Sequence, residues 1–86
     1  MTDKELADLM TEYFNRSRRG RGWDSWAADI TAKTGTPLTA FVLRRMAQGS
    51  FQPTDYELMA RYFSAVGEIG AWKGFNAARK QINAAA

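Results

Sequence analysis

The chain has 86 residues and a formal net charge of +3, which predicts one small domain over residues 1–86. It contains no cysteine and no histidine, which excludes disulfides, thiolate metal sites and the commonest metal ligand and general base. With 45% hydrophobic and 24% charged residues, the composition is that of a globular domain and not of a disordered segment.

The first helix is predicted from a capping box at Thr2–Glu5 and from the amphipathic stripe that follows it. It should end near Arg16, where a basic loop at 16–22 begins. Four of the chain's eight arginines fall in this loop, and its two glycines should keep it flexible. Such a cluster suits phosphate partners, although a merely solvated loop would show the same pattern. The predicted phosphate contacts are Arg16, Arg18, Arg19, Arg21 and, in the next helix, Lys33.

The second and third helices should be joined by a tight turn. Asp24 or Ser25 can cap the second helix, and Gly35 suits its end. Thr36 followed by Pro37 is a strong helix start, which predicts a third helix over residues 37–48. The apolar stripe of the second helix is Trp26, Ala27 and Ile30.

A second capping box within Pro53–Glu57 predicts a fourth helix, which Gly67 should end. A fifth helix, from about residue 71, carries Trp72, Phe75 and Ile82. No alternating strand pattern is present. The sequence therefore predicts an all-α, five-helix bundle that contains a helix-turn-helix.

One face of the third helix should pack and the other should bind a partner. At 100° per residue, Val42, Leu43 and Met46 share one side with Thr39. A core centred instead on Leu38, Phe41 and Val42 would place Arg45 in the apolar stripe, and burying an unpaired guanidinium is costly. The first arrangement exposes side-chain types that can contact bases; the predicted base-reading residues are Ala40, Phe41, Arg44, Arg45 and Gln48. The alternative is that Phe41 packs against the first or fifth helix and the arginines are only solvated.

Parts of the chain resemble the lambda-repressor and Cro-like helix-turn-helix family, namely Ile30–Gly35, Leu38–Thr39, Leu43–Gly49, Pro53–Thr54 and Met59–Ala60. In that family a glycine ends the scanning helix, a recognition helix follows, and a proline starts the next helix. The resemblance covers roughly residues 22–63 and implies a five-helix, DNA-binding fold. It departs from the family pattern at Thr31, at Ala47 and in the turn, which holds two extra residues, Thr36 and Pro37.

Catalysis is not expected of this chain. Without histidine or cysteine, the nine carboxylates would have to serve as the general acid and base. None of them forms a spaced pair beside an obvious nucleophile. Gly20 and Gly22 lack the strand-to-helix context of a phosphate-binding loop. No cofactor or metal is predicted. Because no apolar run reaches the ~20 residues of a membrane span, we expect no membrane partner and a cytoplasmic location.

The sequence predicts a transcriptional regulator that reads the major groove of double-stranded DNA with the helix 37–48. The resemblance implies a small repressor of phage or plasmid type. One module makes few base contacts, so we expect a homodimer whose interface is Trp72, Phe75 and Ile82, with the chain up to Gly70 folding alone. Those side chains could equally belong to the monomer core. The alternative function is a protein-binding module of the same fold, such as a phage inhibitor or adaptor that docks on a host protein.

Overall fold

The computed structural model describes residues 2–85 and folds them into five α-helices, with no strand in that range. The helices are α1 (Asp3–Arg18), α2 (Trp23–Thr34), α3 (Ala40–Ala47), α4 (Pro53–Ala65) and α5 (Ile69–Ala85). The hairpin of α4 and α5 forms the largest contact, while α1 packs on α3 and α5, and α2 packs on α3 and α4. The predicted all-α, five-helix fold is confirmed. None of these described helices is both long and apolar enough to cross a membrane.

The first helix begins as predicted but ends later. The Thr2 hydroxyl accepts the N–H of Glu5 at 3.1 Å, and the Glu5 carboxylate accepts the N–H of Thr2 at 3.1 Å, which completes the capping box. The helix continues past Arg16 to Arg18, and Arg19 ends it in the left-handed conformation with φ 55°. The basic segment is therefore the last turn of α1 and a short connection, not a loop from residue 16 onward.

Two other helix starts lie elsewhere than the sequence suggested. Gly22, and not Asp24 or Ser25, is the N-cap of α2. The N-cap of α4 is Gln52, whose N–H donates to the Asp55 carboxylate at 2.7 Å, so the capping box lies at residues 52–55 and not within Pro53–Glu57 as predicted. An additional correction concerns α5, which begins at Ile69 and not near residue 71.

The third helix is shorter than predicted, because Thr36 and Pro37 do not start it. An extended Thr36 before Pro37 is compatible with a helix start, but the chain stays non-helical from Thr36 through Thr39. The Thr39 hydroxyl accepts the N–H of Val42 at 3.3 Å and caps α3. The helix thus covers residues 40–47 instead of 37–48.

The connection between α2 and α3 is held by side chains on both sides. The Thr31 hydroxyl accepts the N–H of Leu38 at 3.1 Å. From α4, the Arg61 guanidinium donates to the carbonyl of Thr34 at 3.2 Å and to the hydroxyl of Thr36 at 3.1 Å. These bonds attach the connection to α2 and to α4.

The core is rich in aromatic side chains and includes the C-terminal helix. Phe14, Trp26, Phe63 and Phe75 are each 0% exposed. The ring centroids of Phe14 and Trp26 lie 4.7 Å apart, and those of Phe63 and Phe75 lie 5.4 Å apart. Phe75 therefore belongs to the monomer core and not to a dimer interface, which argues against independent folding of residues 1–70. Trp72 and Ile82 are half-buried against the same core.

Candidate nucleic-acid interface

One face of α3 packs on the core and the opposite face is open to solvent. Leu43 and Met46 are each 0% exposed, and Val42 is half-buried beside them. Phe41 is 75% exposed, the largest exposed fraction of any large apolar side chain in residues 2–85. The predicted orientation of the helix is thus confirmed, and the alternative in which Phe41 packs against α1 or α5 is wrong.

The outer face of α3 carries an arginine that nothing in residues 2–85 engages. The Arg44 guanidinium is exposed and makes no hydrogen bond or ion pair there. Gln48, one turn further on, is also exposed, whereas Ala40 is half-buried in the first turn. Phe41, Arg44, Arg45 and Gln48 line one shallow depression, and we call these four residues the α3 face.

Arg45 lies on the α3 face, but its guanidinium is already bound by groups of the same chain. Its guanidinium donates to the Asp55 carboxylate at 2.9 Å and to the carbonyl of Ser50 at 2.7 Å. The Arg45 side chain is 26% exposed and that of Asp55 is 8% exposed. The pair joins the end of α3 to the start of α4, so Arg45 acts as a structural residue and is not a free base reader.

Because of this difference, replacing Arg45 by Ala should reduce stability more than replacing Arg44 by Ala. The first change leaves the largely buried Asp55 without its charged partner, and hydrogen bonds to charged groups contribute about 1.5–3 kcal/mol. The second removes an exposed side chain and should stay within about 0.5 kcal/mol. Urea unfolding of both variants measures the difference. Equal losses would contradict the structural role of Arg45.

Two of the four arginines of the basic segment, Arg18 and Arg21, are held by contacts within the segment. The guanidinium of Arg18 stacks over the Trp23 ring, with its Cζ 3.8 Å from the ring centroid. The Nε of Arg18 donates to the carbonyl of Arg21 at 2.7 Å. Arg21 in turn donates to the carbonyls of Arg18 and Ser17 at 3.0 Å and 2.7 Å. These two arginines close the connection between α1 and α2, which argues against the predicted flexibility of this segment.

The other predicted phosphate contacts have acidic neighbours. Arg16 pairs with Glu12 at 2.9 Å, and Arg19 lies 3.7 Å from Glu68. Both arginine side chains are about two-thirds exposed or more. Exposed ion pairs of this kind are weak, so another anion can readily replace the glutamate. Lys33 pairs with Asp29 one turn earlier on α2. Arg16 and Arg19 thus remain available to phosphate, whereas Arg21 does not.

Asp29 is the centre of a polar network that ties α2 to α4 and to Arg21. The Tyr62 hydroxyl donates to Asp29 at 2.6 Å and accepts from the Trp26 indole at 3.1 Å. The hydrogen bonds from Lys33 and Tyr62 lower the pKa of Asp29 below its usual value of 3.8. Burial and the bond to Asp29 raise the pKa of Tyr62. The ionised carboxylate is therefore the form that the fold stabilises.

We expect acid to weaken the fold partly through Asp29. Its pKa is lower in the folded chain, so its contribution is fully present above the unfolded pKa and is lost as the pH falls through the folded pKa. At neutral pH, Asp29→Asn should lower the free energy of unfolding by roughly 1 kcal/mol. Denaturant unfolding from neutral pH down to pH ~3 should show the gap between variant and wild type closing. A gap that stays constant would contradict this account.

Two residues near the α3 face were not anticipated from the sequence. Asn15 of α1 donates to the carbonyl of Ala47 at 3.2 Å, which fastens the end of α3 to α1. Arg61 of α4 holds the turn before α3. Neither has a local sequence signal, because both contacts join residues far apart along the chain. Together they fix both ends of the helix that carries the α3 face.

Comparison of the chain with protein-family models, with curated proteins and with solved structures finds no match. The resemblance to lambda-repressor and Cro-like proteins therefore rests on the sequence pattern alone. The geometry of the α3 face carries the functional argument.

Proposed function

We propose that this chain is a sequence-specific DNA-binding transcriptional regulator that places the α3 face in the major groove. The observation that carries the proposal is the unpaired Arg44 between an exposed Phe41 and an exposed Gln48 on one helix face. An α-helix about 10–12 Å across fits the ~12 Å major groove. Arg can donate two hydrogen bonds to guanine, Gln can read adenine, and an aromatic ring can contact a thymine methyl group.

The anchoring of α3 supports this role. Its N-terminal approach is fixed by Thr31 and Arg61, and its C-terminal end by Asn15 and by the Arg45–Asp55 pair. A binding face held by a rigid scaffold loses little conformational entropy when it binds. Within residues 2–85, Arg44 also has no hydrogen bond or ion pair to break before it meets a base.

Fewer basic side chains are free to contact phosphate than the sequence suggested. Arg16 and Arg19 are exposed at the end of α1, and Arg18 lies half-buried on Trp23. Phosphate contacts position a protein on DNA and make its affinity dependent on salt. We expect Arg16 and Arg19 to contribute this sequence-independent part, and Arg21 and Lys33 to serve the fold.

Selection of bound duplexes from a random DNA pool tests the proposal. We expect one enriched sequence, bound about a thousandfold or more tighter than random duplex at physiological salt. A homodimer would enrich a two-fold related pair of half-sites. Enrichment of no sequence would overturn the proposal.

One observation favours the alternative, a protein-docking module. An aromatic side chain that is 75% exposed beside an arginine is also the composition of a protein-interface hot spot. A chain that ignores duplex DNA at low salt while Phe41→Ala abolishes capture of a protein partner would support this second function.

A further inference from the structure

A groove runs along the α4–α5 hairpin on a different part of the surface from the α3 face. One wall is a single face of α4, where Glu57, Arg61 and Ser64 follow one another at helical spacing. The other wall is a single face of α5, formed by Trp72, Asn76 and Arg79. Trp72 is only half-buried by its own chain, so part of a large aromatic surface remains uncovered.

The groove carries an acid and a base at one end. Glu57 is exposed and makes no hydrogen bond or ion pair in residues 2–85. Arg79 donates to the Asn76 side chain at 2.8 Å and pairs with no carboxylate in that range. Because α4 and α5 run antiparallel, Glu57 near the start of α4 and Arg79 near the end of α5 lie at the same end of the groove. Trp72 and Ser64 lie toward the other end.

This arrangement of charges is complementary to itself. A two-fold axis parallel to the groove would place α4 of one copy over α5 of another without reversing the ends. Glu57 of each copy would then meet Arg79 of the other, as the reciprocal contacts of a two-fold interface require. The same operation lays Trp72 of each copy over the small, exposed Ser64 of the other.

We propose that the α4–α5 groove binds a second copy of this chain through reciprocal Glu57–Arg79 ion pairs and the uncovered face of Trp72. The proposal deepens the dimeric part of the proposed function, but its test uses no DNA, so failure of either is distinguishable from failure of the other. A second depression, which shares Glu57 and Arg61 with the groove, extends the surface to Pro37 and Leu38. The interface would therefore reach the turn that precedes α3.

Charge reversal tests the pairing directly. Sedimentation equilibrium of the wild-type chain should show a dimer. Glu57→Arg alone places two arginines together at each pair, and Arg79→Glu alone places two glutamates together. Each should raise the dimer dissociation constant by about tenfold or more. An equimolar mixture of the two variants should recover the wild-type constant, because both pairs are again of opposite charge.

Two further variants complete the design. Lys73→Glu changes an exposed charge of α5 that does not line the groove and should leave dimerisation unchanged. Ser64→Trp fills the space that the partner's Trp72 would occupy, and it should produce a monomer without altering the charge. A wild-type chain that stays monomeric at millimolar concentration overturns the proposal. So does a mixture of folded charge variants that fails to restore the dimer.

Discussion

Replacing Phe75 by Ala should lower the free energy of unfolding by about 3–5 kcal/mol. The ring is 0% exposed, and its centroid lies 5.4 Å from that of Phe63, 5.9 Å from that of Phe51 and 6.4 Å from that of Tyr56. Its removal leaves a cavity that the surrounding rings cannot fill without leaving their packed positions. A domain of this size is stabilised by roughly 5–15 kcal/mol in total, so this one change should remove a large share.

Thermal and urea unfolding followed by circular dichroism measure this effect. Phe41→Ala is the matched control, because the same change at a ring that is 75% exposed should stay within about 0.5 kcal/mol. The chain truncated after Gly70 should fail to fold, since it also loses the buried Ala71 and Ala78. A folded truncation product, or equal losses at Phe41 and Phe75, would show that α5 is not part of the core.

Local signals predicted the helices better than their boundaries. The capping box at Thr2 is present as expected, and Gly35 ends α2 in the left-handed conformation at φ 73°. The start of α3 could not be read locally, because Thr36 with Pro37 and Thr39 are both plausible caps. The bonds from Thr31 and Arg61 to the intervening chain favour the later one. Such bonds depend on how the helices pack, which a local sequence pattern does not report.

The candidate site shows the same division between pattern and packing. The helical wheel placed Leu43 and Met46 inside and Phe41 and Arg44 outside, as the structure has them. The wheel could not separate Arg44 from Arg45, because the partner of Arg45 is Asp55 on the following helix. The clustering of arginines in the sequence likewise did not predict that Arg18 stacks on Trp23. An arginine's role depends on what the fold brings to its guanidinium.

Arg44→Ala should weaken binding to the selected DNA site by about 1–3 kcal/mol, which is roughly tenfold to a hundredfold. The exposed guanidinium has no internal partner in residues 2–85, so its loss should remove base contacts and leave the fold intact. Binding to random duplex should fall much less. Lys80→Ala, at an exposed position of α5 outside the α3 face, is the matched control for loss of one positive charge.

The most direct test of the α3 face pairs this variant with changes in the DNA. Affinities of wild type and Arg44→Ala are measured on the selected duplex and on duplexes in which each guanine is replaced in turn. We predict one guanine whose replacement costs the wild type about 1–3 kcal/mol and costs Arg44→Ala almost nothing. That coupling would identify the base that Arg44 contacts. Equal costs for both proteins at every guanine would contradict base reading by the α3 face.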